Sequence, residues 1–162
     1  MPGKGQANVT GNLLEISVKQ VFTSKGFELI SYVEWKKKPD LYGKELLLKN
    51  VPYRTIYKHD GRTEFLAISE RLNFKIRIEC KWQQSNGSVD EKFPYLYLNC
   101  IEAMPENEII IIVGGQGFKA GVVPWLKNTI KEKKYTSPGP TTKKISVFNL
   151  EEFMAWANKT LR

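Results

Sequence analysis

The strongest pattern in the chain is the alternation of residues 73–84, NFKIRIECKWQQ. Phe74, Ile76, Ile78, Cys80 and Trp82 fall on one side of an extended backbone, and Lys75, Arg77, Glu79, Lys81 and Gln83 on the other. This predicts a strand with one face in a core and a row of charges opposite. Before it, Leu13, Leu14, Ile16, Val18, Val21 and Phe22 predict a helix over 12–25, with Gly26 as its stop. Residues 1–9 read as a basic tail, 27–35 as a strand of imperfect period, 36–40 as a loop, and 46–48 as a short extended piece. Two further strands, 53–57 and 63–68, are joined through 58–62, where Asp60-Gly61 is a hairpin signal.

After the central strand, Asn86-Gly87 breaks the pattern, and an apolar helix over 93–101 should end before Pro105. Residues 108–113, EIIIIV, form a near-continuous apolar run of strand length, which predicts burial on both faces. A helix crossing between two strands makes a βαβ unit, so this strand should lie parallel and adjacent to the central one. Gly114, Gly115 and Gly117 follow it with neither a G-K-[ST] nor a G-x-G-x-x-G spacing, so they read as a tight turn at the sheet edge. A helix over 121–133, a basic loop over 134–144, a short strand over 145–148 and a final helix capped by Asn149 complete the chain. The class is α/β, a sheet flanked by helices in a single domain of 1–162.

Composition adds a partner. The formal net charge of +8 and a pI near 9.4 favour an anionic one, with nucleic acid the commonest. Cys80 and Cys100 lack C-x-x-C spacing and paired histidines, so they read as buried thiols. No apolar run reaches membrane-span length and the first residues lack a signal peptide's apolar stretch, so a soluble, cytoplasmic protein with no membrane partner is expected.

The candidate chemistry lies on the polar face of the central strand. Glu79 and Lys81 set a carboxylate two residues from an ammonium, the parts that metal-assisted phosphodiester hydrolysis uses. Carboxylates supply hard oxygen ligands for Mg²⁺ or Mn²⁺, and lysine either neutralises charge on a phosphate in transfer or helps deprotonate the attacking water. In a chain this rich in Glu and Lys, about two E-x-K spacings arise by chance. The others, Glu34/Lys36 and Glu132/Lys134, lie in a lysine run and at a helix end. Only Glu79/Lys81 sits mid-strand with an acid, Glu64, on the strand before. The spacing is equally compatible with a solvated face carrying an ion pair. Glu64 shares an apolar strand and belongs either to the sheet rim or to a polar site. Glu15 points either toward that site or into water. His59, in the hairpin turn, reads as a surface residue.

Helix, hairpin, strand with E-x-K, helix, buried strand is the order of the restriction-endonuclease-like core, a central mixed β-sheet flanked by helices. The chain resembles the PD-(D/E)xK nuclease superfamily from about Leu13 to Leu126, and RIECKWQQSNGSVDEKFPYLYLNC is similar to small bacterial and phage members. The resemblance implies that Glu64 and Glu79 are metal-binding acids, with the Cys80 backbone carbonyl as a third ligand, and that Lys81 is the catalytic lysine. It matches Glu15 to an acid on the first helix, and Gln83 or Gln84 to a glutamine after the lysine. The implied activity is Mg²⁺- or Mn²⁺-dependent endonucleolytic hydrolysis of DNA in a bacterial or phage-infected cell, and it admits a homodimer. Lys36, Lys37, Lys38, Arg62, Lys75, Arg77, Trp82 and Gln84 are the expected nucleic-acid contacts. One departure is that the "PD" of the motif is Thr63-Glu64 here. The alternatives are a non-catalytic nucleic-acid-binding or assembly module on the same fold, and a protein-interaction subunit.

Overall fold

The computed structural model describes residues 4–139 and 142–162, with side chains from Leu13 onward. A six-stranded mixed sheet runs in sequence order: β1 (Glu28–Ser31), β2 (Glu45–Arg54), β3 (Asp60–Ser69), β4 (Phe74–Trp82), β5 (Glu108–Gly114) and β6 (Lys144–Phe148). β2, β3 and β4 form an antiparallel meander, and the remaining neighbours pair in parallel. The helices are α1 (Lys4–Ser24), α2 (Tyr32–Lys37), α3 (Lys92–Glu102), α4 (Val122–Lys131) and α5 (Leu150–Thr160).

The two faces of the sheet bury different layers. Leu14, Val18 and Phe22 of α1 and Phe153 and Ala157 of α5 cover Phe65, Ala67, Ile76, Ile78, Ile110 and Ile112. On the other face α3 and α4 cover Ile109, Ile111 and Val113, while α2 lies over Leu46, Leu48 and Leu66. The unbroken apolar run of β5 follows from this, since its alternate side chains enter both layers and each contributes about 1.5–3 kcal/mol of gross burial. β4 and β5 are parallel neighbours joined through α3, as the βαβ reading required.

Helix ends follow local chemistry. Asn149 accepts the Glu152 N–H at 2.8 Å while the Glu152 carboxylate accepts the Asn149 N–H at 3.1 Å, a reciprocal capping box. Gly26, at φ +89°, ends α1 as the Phe27 N–H returns to the Phe22 carbonyl.

Several boundaries differ from expectation. The first helix begins at Lys4, so 4–9 is helical, a nucleated helix extending by one hydrogen bond per added residue. Residues 1–3 of the expected tail, and 140–141 of the expected loop, lie outside the described residues. The strand expected over 27–35 stops at Ser31, whose hydroxyl accepts the Glu34 N–H and starts α2. Lys36 and Lys37 are therefore helical and not in a loop. β2 runs from Glu45 through Pro52 to Arg54, longer than the pieces read at 46–48 and 53–57.

Candidate active site

The site arises where the sheet stops being regular. β2 and β3 pair from Glu45↔Ser69 to Arg54↔Asp60, but the rung that would join Asn50 to Glu64 is missing, and Asn50 adopts φ +54°. Alternation breaks there. Leu47 faces the α1 layer, yet Val51, four residues on, joins Leu46 and Leu48 on the α2 side. On β3, Phe65 faces α1, whereas the Thr63 hydroxyl meets Arg77 from the opposite face. Glu64 thus lies at the changeover.

The β3–β4 ladder ends at the same level, with Phe65↔Ile78 as its last pair, while β4 continues beside β5 to Trp82↔Gly114. The strands splay, and the Cys80 N–H would be left without a strand partner. The Glu64 carboxylate fills the gap, accepting that N–H at 2.8 Å. A strand residue's N–H and C=O point to the same side, so the Cys80 carbonyl also faces the opening.

Glu79 projects from β4 beside this opening. It is buried, and its Oε1 receives the Lys81 ammonium at 2.5 Å. Its other oxygen, Oε2, is buried with no hydrogen-bond partner. A buried carboxylate oxygen without a donor is costly unless something positive completes it. Lys81 keeps a quarter of its side chain exposed and so reaches the surface of the opening.

Electrostatics bind these groups together. Burial, followed by the Glu79 charge, pushes the Glu64 carboxyl up to about 7, against the lowering effect of the Cys80 N–H and Lys81. Burial and then the Glu64 charge push Glu15 upward, which places Glu15 of α1 within the electrostatic reach of the site. For Lys81, burial works to lower the ammonium, but Glu79 and then Glu64 outweigh it and the net direction is up, so Lys81 is a cation at neutral pH.

The donor set fits a hard divalent cation: Glu64, the unpartnered Glu79 Oε2 and the Cys80 carbonyl. Among the described residues no three His, Cys, Asp or Glu side chains gather as a metal cluster, so an ion held at this opening would draw on two carboxylates and main chain. That is the partial set Mg²⁺ accepts, because it keeps several waters and takes further oxygens from a phosphate substrate.

Other residues take different places. Gln83 does not face the opening. Its Nε2 donates to Asp90 Oδ1 and to the Gly117 carbonyl, both at 2.9 Å, and its Oε1 accepts the Val89 N–H. These bonds fasten the loop after β4 to the loop after β5. The glycines there serve close approach, since a Cβ on Gly115 would lie 2.3 Å from the Gln83 carbonyl oxygen and one on Gly117 2.4 Å from that of Ser85.

Arg77, expected at a nucleic-acid surface, is 2% exposed. Its guanidinium meets Glu106 at 2.5 and 3.0 Å and donates to the Val51 carbonyl and the Thr63 hydroxyl. The alternating pattern marked its face but not the Pro105-Glu106 turn that covers it. Trp82 is also misplaced by that expectation, since it packs with the α1 layer on the opposite face from Lys81. Arg62, Lys75 and Gln84 are exposed, as are Lys36, Lys37 and Lys38 around the end of α2. Lys75 pairs with Ile68, near the far end of β4 from Glu79. Tyr53, which spacing did not single out, lies under the Arg77 guanidinium at 5.4 Å. Burial, then the Glu79 charge, raises its phenol to about 12.

Fold and site together define a class, an α/β domain whose mixed sheet opens around an acidic pair and a lysine. The model of the PD-(D/E)XK nuclease superfamily domain matches residues 6–161, nearly the whole chain, and the chain belongs to that family. No curated protein and no solved structure matches it. Among the described residues no helix is long and apolar enough to cross a membrane.

Proposed function

We propose that the protein is a metal-dependent nuclease that hydrolyses DNA phosphodiester bonds, using Glu64, Glu79 and the Cys80 carbonyl to hold Mg²⁺ or Mn²⁺ and Lys81 as a fixed cation. The observation that carries this reading is the buried, unpartnered Glu79 Oε2 beside Glu64 and Lys81 in the splay between β3 and β4. When bound, such an ion neutralises phosphate charge and acidifies water.

The chain's own residues do the rest. Glu79 anchors the Lys81 ammonium at the opening, so its position costs no reorganisation when substrate arrives. Being protonated at neutral pH, Lys81 donates to water or to a phosphate oxygen and does not itself take a proton from water. Glu64, pushed up to about 7, is a group whose proton is exchanged near neutrality. Glu15 adds negative potential from α1.

The test is incubation of purified protein with plasmid, linear and branched DNA in Mg²⁺ or Mn²⁺. Cleavage that requires the ion and disappears in Glu79→Ala and Lys81→Ala supports the proposal. Cleavage that survives both substitutions overturns it, as does salt-sensitive DNA binding with neither cleavage nor carboxylate-dependent metal affinity.

A further inference from the structure

We propose that the stacked pair Tyr57 and Tyr95 is a platform for an unpaired nucleic-acid base at the entrance to the Glu64–Glu79–Lys81 opening, so that single strands and frayed ends are preferred over unbroken duplex. The preference deepens the nuclease reading and rests on it for its purpose, but the platform can be tested without cleavage.

The two rings lie 5.1 Å apart at 24°, and His59 meets Tyr57 edge-on at 6.2 Å and 62°. Tyr57 is 65% exposed. The turn that carries it is fixed by other groups. The Thr55 N–H reaches the His59 carbonyl at 2.9 Å, the Lys58 N–H reaches the Thr55 carbonyl at 2.8 Å, and Asn99 of α3 accepts the Ile56 N–H at 2.9 Å. An aromatic ring that is mostly in water, on a turn already held, adds little to stability. Its use lies in offering a flat apolar face at small entropic cost.

Topology sets this face beside the site. β3 and β4 are antiparallel, with Ser69 opposite Phe74 and Phe65 opposite Ile78, so the 55–59 turn and the Glu79–Lys81 end of β4 share one end of the sheet. α3 starts at that end, which is why its Tyr95 meets the turn. Tyr53 connects the two regions, lying below Arg77 on the face that Glu79 shares. Exposed Lys58, Arg62 and Lys92 surround the turn and the start of α3, and the chain carries +8 overall, which matches a phosphate backbone. Every base has a π-face, so such a platform is indifferent to sequence, whereas a continuous duplex keeps those faces stacked on each other.

The experiment uses the full chain in EDTA with oligonucleotides carrying 2-aminopurine, as single strands, as duplexes with an unpaired end, and as closed hairpin duplexes. Wild type is expected to bind single strands more tightly than closed duplex and to quench the fluorophore. Tyr57→Ala should weaken single-strand binding by about 5- to 150-fold, the range for loss of one base–aromatic stack, while changing closed-duplex binding less than about twofold. Tyr57→Phe and Tyr57→Trp should retain both affinity and quenching, which a simple packing role at an exposed position would not require. Unchanged single-strand binding in Tyr57→Ala, or an equal loss for duplex, overturns the platform alone. Tyr57-dependent binding without cleavage in Mg²⁺ overturns the nuclease reading and leaves the platform standing.

Discussion

The Glu64 carboxylate stands 2.8 Å from the Cys80 N–H, in the place where a β3 carbonyl would be if the ladder continued. One acid therefore serves both the fold, by satisfying an orphan donor, and the site, by facing Glu79 across the opening. Its two duties compete, and the competition is measurable.

With no ion bound, Glu64 titrates near 7 rather than 4.5. Its folded pKa lies above its unfolded value, so the folded state holds the extra proton. The stabilisation is fully present below about 4.5 and is lost as pH rises through about 7, on the order of 3 kcal/mol. Denaturant unfolding in EDTA should show this decline between pH 5 and pH 8, and Glu64→Gln should flatten it. A slope unchanged in Glu64→Gln would mean that another group carries the titration.

On the proposed reading, an ion held by Glu64 would displace that proton. Calorimetric titration at pH 6 in buffers of different ionisation enthalpy should show release of close to one proton per ion, falling toward zero at pH 8. Affinity should rise over the same interval.

Glu79→Gln and Lys81→Met should each lower cleavage by at least about 10²-fold. They should differ in stability. Lys81→Met leaves a buried carboxylate without its counter-charge and should cost about 1–3 kcal/mol at pH 8, less than a fully buried pair because Lys81 is partly exposed. The double variant should regain most of that stability but none of the activity, which a double-mutant cycle would reveal.

Arg77 and Arg62 should separate fold from binding. Arg77→Met strands Glu106 and should cost about 3–5 kcal/mol in denaturant unfolding, with an unchanged salt dependence of DNA binding while the protein is folded. Arg62→Ala should leave stability within about 0.5 kcal/mol and reduce the slope of log K against log salt by about one.

Gly115→Ala sets a Cβ against the Gln83 backbone at a φ of +93° and should destabilise by more than about 1 kcal/mol, with a loss of activity from displacement of the strand end that carries Lys81.

Much of this architecture was legible in the sequence because it is written in period. The alternation of 74–82 marks β4, the isoleucines of β5 mark burial on both faces, and Asn149 marks the start of α5. Those signals are local. What escaped depends on contacts distant in sequence. The polar face of β4 looked uniformly solvated or catalytic, yet Glu106 claims Arg77 and Thr63 meets it from β3, so one cation of the row is interior and its neighbour Glu79 is not neutralised by it. Gln83 resembled a site glutamine by offset, but glycines more than thirty residues away bring a loop close enough to occupy its amide. Ser31 and Glu34 carried a helix-start signal that the aromatic content of 27–35 obscured. Tyr57 and Tyr95 are separated by two strands and a loop, and nothing in spacing joins them.

The missing rung at Asn50 reaches further than its own exposed side chain. A left-handed residue there lets two strands exchange sides for one step, and that exchange turns an acid out of the wall and into the doorway. A β-branched residue at position 50 would resist the twist and favour a straight, fully paired ribbon. The barrel of such a lock could remain intact while the key no longer turned: the domain would fold, with Glu64 and Glu79 one register away from each other.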